Sequence, residues 1–476
     1  MGAYKRGLSI LPAHLHLSGI YSVGSSIICK TFQSGNRLFH FGDNVDVYIK
    51  DLTLGSCGFS STTTPVTSML GGTQVVDTEE GGLLQVMSSS INSKSCLHVK
   101  DTIFKDNQAM NGGALALIHV DVILSNVTFF NNIADGSLST QTSLVGFGGG
   151  LHMINSDISS SSGVLFLRNR ALKGGGMSCR YGSVSVNEFS FIENTATLSS
   201  GGLHATEIVD THISLSDFTR NAATYGGGGV GVFLASTVTI SSSMFDTNVA
   251  YSATGGGISI VTHRGTNLSL DNSTIINNIG VTGGGISITD VDAARSNLTI
   301  SNALFQNNSA ENNGGALYYT GHGMLEIHNS NFTNNSARLS HDGGLLNSSD
   351  VSSFVGGGGL LVPQQASVYL YSTNFKKNKV GGGFGGGCLF TNPSVVEAYE
   401  CMWEENEVIE GYGGGIVLAG GRMGLYAPSI NNNSVTYGGG GLFVKTWLLE
   451  KDRFTVICNN NSSLSISEKA EALQVN

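Results

Sequence analysis

Residues 237–260 read TVTISSSMFDTNVAYSATGGGISI, and this stretch decides the fold. It joins an apolar-x-apolar pair, a Phe-x-x-Asn element and a glycine triplet that is followed by a second apolar-x-apolar pair. Residues 268–288 read LSLDNSTIINNIGVTGGGISI and repeat this order, with Ile in the place of Phe. A period of roughly 27 residues, built from short strand-like pieces, is typical of a solenoid whose units pack only against their neighbours.

The Phe-x-x-Asn element recurs along the chain, with Ile or Trp sometimes in the aromatic place. Its asparagines are Asn107, Asn132, Asn169, Asn194, Asn221, Asn248, Asn278, Asn308, Asn335, Asn378, Asn406 and Asn433. Apolar residues alternate in short runs, which is the period of strands, and the glycine content disfavours helices. The repeat therefore predicts an all-β fold, a parallel β-helix (solenoid) with three strands per turn, about 13 regular rungs and irregular N-terminal rungs.

Each recurring residue type has a structural task in such a fold. Phe or Ile stacks on its equivalents in neighbouring turns and fills the interior. Asn tolerates left-handed backbone angles at a bend, and a column of its amides is expected to form a hydrogen-bonded ladder along the stack. Gly permits a positive φ at a second bend. Because chemistry does not need so many copies of one site, we interpret the asparagines as structural and not catalytic.

The repeat divides the chain into three parts. Residues 1–97 lack the glycine triplets and are predicted to form irregular N-terminal rungs or a cap, since terminal repeats are usually atypical. Residues 98–462 carry the regular β-helix repeats. Residues 463–476 are expected to be a C-terminal cap, with a short helix from Ser465 onward, or a truncated tail.

Composition argues against several classes of protein. The chain has 66 Gly but only 5 Pro among 476 residues and no three-residue glycine period, which excludes collagen. The formal net charge of −10, without a basic cluster, argues against nucleic-acid binding. No segment approaches eighteen consecutive apolar residues, so no membrane-spanning helix is predicted. The N-terminus is a poor signal peptide, and we expect the chain to be part of a larger protein.

No cofactor or metal site is predicted. The seven cysteines are widely spaced and form no zinc pattern. We interpret them as buried free thiols, with a bridge between Cys388 and Cys401 as the alternative. The glycine triplets are not phosphate loops, because no Lys-Ser/Thr pair follows them and no helix pattern begins there.

These motifs resemble the passenger region of the chlamydial polymorphic outer-membrane proteins, which repeats Gly-Gly-Ala-Ile and Phe-x-x-Asn. Residues 112–115 and 314–317 both read Gly-Gly-Ala-Leu and come close to the first tetrapeptide. The chain is also similar to the wider pectin-lyase-like superfamily of right-handed parallel β-helices. The resemblance covers about residues 98–460. It implies a right-handed coil and, in the bacterial case, a surface-exposed adhesive rod.

Polysaccharide lyases and glycosidases also use this fold, with acids on one exposed strand face. The residues that follow two adjacent glycine-led strands are His263, Arg264, Asp290 and Asp292. Paired carboxylates beside a base are what glycoside cleavage or calcium-assisted proton abstraction would need. However, Leu234 interrupts this column and no acid recurs. We therefore favour an ordinary solvated turn and leave enzymatic activity as the alternative.

Two surface features point to binding. Tyr318, Tyr319, Tyr369 and Tyr371 lie on neighbouring strands, where exposed rings can stack on sugars, unless some of them point inward. Asn-x-Ser/Thr sequons permit a glycoprotein; they include Asn126, Asn267, Asn297, Asn331 and Asn347. We expect a secreted or cell-surface, non-enzymatic adhesion rod whose partner is a glycan or a surface protein.

Overall fold

The structure is a computed structural model, and two groups of residues are described. The long ranges are 46–55, 95–136, 145–252, 254–262, 265–291, 295–338, 355–363 and 365–445. The short ranges are 14–18, 26–28, 39–41, 66–70, 73–77, 84–88, 456–459 and 473–475.

The described residues form a right-handed parallel β-helix of about 12 turns, which confirms the predicted all-β fold. Every turn adds one strand to each of several parallel sheets, and equivalent residues of successive turns are paired in register. Phe218, for example, pairs with Phe245, which pairs with Ile275. The self-similarity of the sequence is thus a direct consequence of like residues lying on top of like residues.

From Ser183 onward each turn contains four short strands and not the three that were predicted. In the turns that begin at Ser95, Val120 and Asp157 a single 11-residue strand replaces two of them, so those turns contain the predicted three. Sheet 1 holds the Phe-x-x-Asn segment, sheet 2 follows the asparagine, sheet 3 follows the glycines, and sheet 4 holds the apolar-x-apolar pair before the next Phe. The fourth strand is the short one in sheet 2, such as Val249–Ala250. Its single inward residue is small, so the sequence carries no apolar alternation to reveal it.

The strand bounds follow sheet by sheet for the described residues. Sheet 1 comprises His14–Ser18, Ser26–Ile28, Asp46–Lys50, Thr53–Gly55, Ser95–Lys105, Val120–Phe130, Asp157–Leu167, Phe189–Ile192, Asp217–Thr219, Met244–Asp246, Thr274–Ile276, Leu304–Gln306, Asn331–Thr333, Asn374–Lys376, Met402–Glu404 and Ser429–Asn431. Sheet 2 comprises Gln108–Ala109, Ile133–Ala134, Arg170–Lys173, Thr195–Ser199, Ala222–Tyr225, Val249–Ala250, Ile279–Thr282, Ser309–Asn313, Ser336–Ala337, Lys379–Phe384, Glu407–Tyr412 and Ser434–Val435.

The other sheets lie on the remaining sides of the coil. Sheet 3 comprises Phe39–Phe41, Leu84–Met87, Leu115–Ile118, Leu151–Ile154, Met177–Arg180, Leu203–Thr206, Val230–Phe233, Ile258–Thr262, Ile286–Asp290, Leu317–Tyr319, Leu360–Val362, Cys388–Thr391, Ile416–Ala419 and Leu442–Lys445. Sheet 4 comprises Ser183–Asn187, Asp210–Ser214, Thr237–Ser241, Asn267–Asp271, Asn297–Ser301, Met324–His328, Ser367–Tyr371, Val395–Tyr399, Met423–Tyr426, Val456–Asn459 and Leu473–Val475. An antiparallel pair, Val66–Leu70 with Thr73–Asp77, stands apart.

Aromatic rings fill the interior behind sheet 1. Phe191, Phe218 and Phe245 are fully buried, and their ring centroids lie 4.7 and 4.9 Å apart in nearly parallel planes. The column continues through Phe305, with Ile275 between, and Trp403 takes the same place later in the chain. Offset stacking adds about 0.5–1.5 kcal/mol per aromatic pair to the gain from burial. The core is therefore one continuous column.

The twelve asparagines lie in one buried column at the bend between sheets 1 and 2. Asn248 shows the pattern: its main-chain N–H and its Nδ2 both donate to Oδ1 of Asn278, at 2.9 and 3.0 Å. Nδ2 also donates to the carbonyl oxygen of Phe218 at 2.8 Å. Each side chain thus joins three successive turns. The same side-chain bond links every neighbouring pair from Asn107 to Asn433.

The left-handed backbone angle at this bend belongs to the residue before the ladder asparagine. Thr247 has a φ of 56° and Asn277 one of 58°, whereas Asn248 and Asn278 are not in the positive-φ region. The prediction that the ladder asparagines themselves adopt left-handed angles is therefore wrong. The preceding residue turns the chain, which leaves the asparagine free to point inward.

A second ladder, made of serines, lies at the bend between sheets 4 and 1. The main-chain N–H of Ser216 donates to Oγ of Ser243 at 3.2 Å, and that of Ser243 donates to Oγ of Ser273 at 3.2 Å. The Ser243 hydroxyl donates in turn to the carbonyl oxygen of Ser241. This column is not apparent from the sequence, because the same position is occupied by Ala303, Thr373 and Cys401 in other turns.

Two predictions about single residues can also be compared with the structure. Cys388 and Cys401 are buried free thiols, which confirms the preferred interpretation for this pair over the alternative of a bridge, and Nε1 of Trp403 donates to Sγ of Cys388 at 3.3 Å. Leu473–Val475 is a strand of sheet 4 and not the end of a short helix. The rest of the segment from Ser465 onward lies outside the described residues.

Candidate functional site

Only one of the four candidate catalytic residues can be located. His263, Arg264 and Asp292 lie outside the described residues. Asp290 ends the strand Ile286–Asp290, and it is only 7% exposed because it faces inward like Ile286 and Ile288. Its main-chain N–H donates to Oγ1 of Thr320 at 3.1 Å, and its Oδ2 accepts from Oγ of Ser296 at 3.3 Å.

The Asp290 side chain is therefore buried at the end of its strand. Its Oδ1 is buried and has no hydrogen-bond partner among the described residues. The nearby Tyr319 is also inward-facing: it is fully buried, and its hydroxyl donates to the carbonyl oxygen of Ser296 at 2.5 Å. Burial raises the pKa of Tyr319, with the charge of Asp290 as a further cause. Asp290 is therefore not placed to act as an acid on a substrate bound at the surface.

The four predicted tyrosines separate into three environments. Tyr319 belongs to the core, as described above. Tyr318 is half-buried and packs against a small apolar cluster on the outer side of sheet 3 that includes Leu361. Tyr369 and Tyr371 lie on the outer face of sheet 4, where they alternate with buried Val368 and Leu370. Only the last two form part of an accessible aromatic surface.

Tyr371 belongs to a stack of half-exposed rings that runs along the outside of sheet 4. We call His328, Tyr371, Tyr399 and Tyr426 the tyrosine column. Register pairing places these residues at the same position of four successive turns. Their ring centroids lie 4.7, 5.2 and 4.4 Å apart in chain order, and each pair is within 7° of parallel.

Sequence reasoning missed three members of this column. A signal was present, because each aromatic residue directly follows the second buried residue of the apolar-x-apolar pair: Ile327, Leu370, Ala398 and Leu425. Ala398 is too small to have marked its strand as apolar. The insertion after Ala337 also hides the equivalence of His328 and Tyr371, which are 43 residues apart.

Two carboxylates border the tyrosine column. Glu326, Tyr369 and Glu397 occupy the neighbouring outward position of three successive turns. The hydroxyl of Tyr399 donates to Oε2 of Glu397 at 2.8 Å, and this bond is the main reason that the pKa of Tyr399 is raised to about 12. Partial burial, followed by the charges of Glu326 and Glu397, raises the pKa of Tyr371. The surface therefore combines aromatic rings with hydrogen-bond acceptors.

A cleft of about 510 Å³ opens beside Tyr369. Its walls come from the starts of the sheet 4 strands and from the bends that precede them, and include Arg295, Asn297, His322, Met324 and Ser367. Unlike the rings of the tyrosine column, the Tyr369 ring is not stacked on another aromatic ring of the described residues. The cleft thus offers an aromatic ring, a cation and several polar groups together.

A second, buried polar cluster lies on the outer side of sheet 3. His152 and His204 are covered by Phe147, whose ring centroid is 5.4 and 6.2 Å from theirs. Nζ of Lys173 lies 5.2 Å from the Phe147 centroid. Burial lowers the pKa of both histidines to about 3, assisted by the positive charges of Lys173 on His204 and of Arg180 on both.

This cluster contains a residue that breaks the glycine pattern. Ser200 stands where other turns have the first, positive-φ glycine, such as Gly255, and its own φ is 64°. Its Oγ lies 3.1 Å from Nδ1 of His204. An added Cβ at Gly231 would come within 2.1 Å of that Oγ, so the next turn leaves room for it. Because these groups are buried, the pair is not placed to attack a substrate.

Four of the five candidate glycosylation sites can be located. Asn126, Asn267, Asn297 and Asn331 are exposed, while Asn347 lies outside the described residues. Nδ2 of Asn126 donates to Oδ1 of Asp101 at 2.9 Å. Asn267 and Asn297 are paired neighbours on sheet 4, and Asn297 also lines the cleft.

Two kinds of feature are absent from the described residues. No cluster of three or more His, Cys, Asp or Glu side chains is placed to hold a metal ion. No helix there has the length and apolar character needed to cross a membrane.

Comparisons with known proteins add no relative. No protein-family model, no curated protein and no solved structure matches the chain.

Proposed function

We propose that this chain is a non-enzymatic, secreted or cell-surface β-solenoid that acts as an adhesion or ligand-binding rod within a larger protein. The observation that carries the proposal is the outer face of sheet 4, where Tyr369 and the tyrosine column adjoin the cleft beside Arg295. The conspicuous repeat residues have structural roles in the core and at the bends, whereas this face combines accessible aromatic rings, carboxylates and a cation.

The chemistry of the face suits a glycan or a polar surface protein. The rings of the tyrosine column cover one another, so their edges and hydroxyls are what a ligand meets. Tyr369 is free to stack against a sugar ring or an apolar side chain, and Glu326 and Glu397 on either side of it accept hydrogen bonds. Arg295 and Asn297 supply donors at the cleft wall.

The sequence resemblance supports the same proposal. The passenger regions of the polymorphic outer-membrane proteins, and the pectin-lyase-like superfamily more widely, use this kind of coil outside the cell. The exposed sequon asparagines Asn126, Asn267, Asn297 and Asn331 are compatible with a glycoprotein. The partner we propose is a glycan or a surface protein, without a cofactor and without nucleic acid.

A glycan and matrix-protein binding array on the purified chain tests this proposal. Tyr369→Ala is expected to lose binding by about tenfold or more, because an aromatic anchor at the centre of a contact typically contributes 2 kcal/mol or more. Tyr251→Ala is the matched control, because Tyr251 is 64% exposed but lies at the sheet 2 bend. Equal binding by the wild type and Tyr369→Ala, or no bound ligand at all, would contradict the proposal.

A polysaccharide lyase or glycosidase remains the second candidate, and one observation favours it. Glu326 and Glu397 face outward two turns apart, on either side of Tyr369. Two turns separate their backbones by about 10 Å, and inverting glycosidases use carboxyl groups up to about 9.5 Å apart. Product analysis on the array glycans decides: cleavage that Glu326→Gln or Glu397→Gln abolishes would replace the binding proposal.

A further inference from the structure

We propose that the tyrosine column is a site of oxidative cross-linking, at which the rings of Tyr399 and Tyr426 become joined by a carbon–carbon bond. The oxidant we assign is a haem peroxidase with hydrogen peroxide. The product is a dityrosine that ties two successive turns together. This proposal does not depend on the ligand-binding role of the same face.

Tyr399 and Tyr426 lie close enough together for their rings to be joined. Tyr399 and Tyr426 are paired in register on adjacent strands of sheet 4. Their ring centroids are 4.4 Å apart with an interplanar angle of 7°, against 5.2 Å for Tyr371 and Tyr399. The pair is thus the closer of the two tyrosine contacts in the column. The new bond lies in the plane of each ring, so both rings must first turn about their Cβ–Cγ bonds from face to face to edge to edge, which brings the carbons next to the hydroxyls towards each other.

The tyrosines of the column are also accessible to an oxidant. Tyr371, Tyr399 and Tyr426 are each partly exposed on the outer face of sheet 4. A radical can form on such a ring through a small diffusing oxidant or by contact with an enzyme's oxidised haem edge. By contrast, Tyr319 is fully buried in the core and is out of reach of either oxidant.

Tyr399 has an acceptor for its phenolic proton. A tyrosine that loses an electron becomes strongly acidic and must release its hydroxyl proton. The Tyr399 hydroxyl donates to Oε2 of Glu397 at 2.8 Å, so an acceptor is already in place. Glu397 therefore acts as a positioning base that makes Tyr399 the member of the column from which oxidation begins.

The cross-link forms by a two-electron oxidation of the tyrosine pair. Each of the two phenols loses one electron and its hydroxyl proton, which gives two phenoxyl radicals. The radicals couple through the ring carbons adjacent to the C–O bonds, and the hydrogens on those carbons then move to the oxygens, which restores both hydroxyls. Hydrogen peroxide takes up the two electrons and two protons and becomes two water molecules. The chain loses two hydrogen atoms in total.

The test uses the full chain, a haem peroxidase and hydrogen peroxide. Dityrosine fluorescence reports the amount of product, and tandem mass spectrometry identifies the linked peptides. We expect a linked pair of peptides that contain Tyr399 and Tyr426. Tyr399→Phe and Tyr426→Phe keep the stacked ring but lack the hydroxyl, and each is expected to abolish this linked pair.

Two further variants separate the chemistry from a folding effect. Glu397→Gln keeps the size of the side chain and is expected to slow cross-linking by at least about tenfold, with an altered pH dependence, because the proton acceptor is gone. Tyr251→Phe removes an exposed tyrosine outside the column and is expected to leave the Tyr399–Tyr426 product unchanged. Circular dichroism verifies that each variant is folded.

Several outcomes would overturn the proposal. The absence of a Tyr399–Tyr426 product in the folded wild-type chain is one. Links that form only between separate molecules through Tyr225, Tyr251 or Tyr437 are another. A Glu397→Gln variant that cross-links at the wild-type rate would remove the role of Glu397.

Discussion

Substitution of a ladder asparagine removes several buried hydrogen bonds at once. Oδ1 of Asn248 accepts hydrogen bonds from the main-chain N–H and the Nδ2 of Asn221, each at 3.0 Å. Nδ2 of Asn248 donates to Oδ1 of Asn278 and to the carbonyl oxygen of Phe218. Replacement by an apolar side chain would leave several buried donors and acceptors unpaired. An unpaired buried polar group lowers the stability of the folded chain by more than a paired one raises it.

We predict that Asn248→Ala lowers the free energy of unfolding by about 2–4 kcal/mol, because at least two buried polar groups lose their partner. Urea denaturation followed by circular dichroism measures the effect. The control is Ser269→Ala on the exposed face of sheet 4, which is expected to change the free energy by about 0.5 kcal/mol or less. Similar effects of the two substitutions would show that the ladder contributes little.

Leu215 adopts a backbone conformation that suits glycine better. It has a φ of 48° although it is a branched residue and 57% exposed, so its side chain gains little from packing. We predict that Leu215→Gly stabilises the chain by about 0.5–1 kcal/mol, since removal of Cβ relieves the strain of the left-handed region. Val209→Gly is the control, because Val209 is 56% exposed but is not in that region. It is expected to be destabilising.

The sequence predicted the Phe and Asn columns at this scale but not which residue bends the chain. The Phe and Asn positions face inward, where each must match its neighbours above and below, and they therefore repeat. The residue before each asparagine faces solvent and is Asp106, Arg168, Thr247 or Lys377 in different turns. All four have a positive φ, yet they share no chemistry that a pattern search could detect.

At the scale of the strand, the alternation of side chains between the two faces explains the wrong expectation for Asp290. The residue was taken to follow its strand and to face solvent. The strand Ile286–Asp290 instead includes it, and alternation gives Asp290 the same inward direction as Ile286 and Ile288. The strand continues for two residues beyond Ile288, and the alternation of side chains therefore turns Asp290 inward. The sequence alone does not fix strand ends to that accuracy.

The buried histidines make the sheet 3 region sensitive to acid. The pKa of His152 and that of His204 are lowered to about 3 in the folded chain, from an ordinary value of 6.5. The unfolded chain therefore binds protons first as the pH falls below 6.5, and the folded chain loses stability progressively down to about pH 3. Around pH 4.5 the loss is roughly 2–3 kcal/mol for each histidine.

We predict that the pH dependence of unfolding between about pH 7 and pH 4.5 becomes clearly shallower in His152→Gln and in His204→Gln, since glutamine does not titrate. Hydrogen exchange of peptides from residues 145–206 gives the local measurement. His212→Gln replaces an exposed histidine and is the control. An unchanged pH dependence in both buried-site variants would mean that these histidines are not neutral in the folded chain.

For the whole molecule, stacking in register means that a complete turn is a removable unit. Asn221 and Asn248 are 27 residues apart, and the turn between the equivalent positions Asp217 and Met244 is equally long. Deletion of residues 217–243 would place Phe191 next to Phe245 and Asn194 next to Asn248. Each new contact is of the same kind as the one it replaces, because solenoid stability is approximately a sum over neighbouring repeats.

We predict that the variant lacking residues 217–243 folds with an unchanged circular dichroism spectrum and cooperative thermal unfolding. The control lacks only residues 217–229, which shifts every later side chain out of its column. That chain is expected to be insoluble or to unfold at a much lower temperature. If both deletions behaved alike, register would not be what specifies the fold.

The unequal spacing of the asparagine column gives the rod a mechanical signature. Neighbouring ladder residues are 27 or 30 residues apart in the middle of the chain, but Asn335 and Asn378 are separated by 43. A coil pulled at its two ends and peeled turn by turn would lengthen in steps of roughly 85–100 Å, with one step near about 145 Å. The 37 residues between Asn132 and Asn169 would give a second longer step, of roughly 125 Å. A protein built in this way would yield gradually under load, and the two longer steps, which differ in length, would mark where along the coil the rupture had reached.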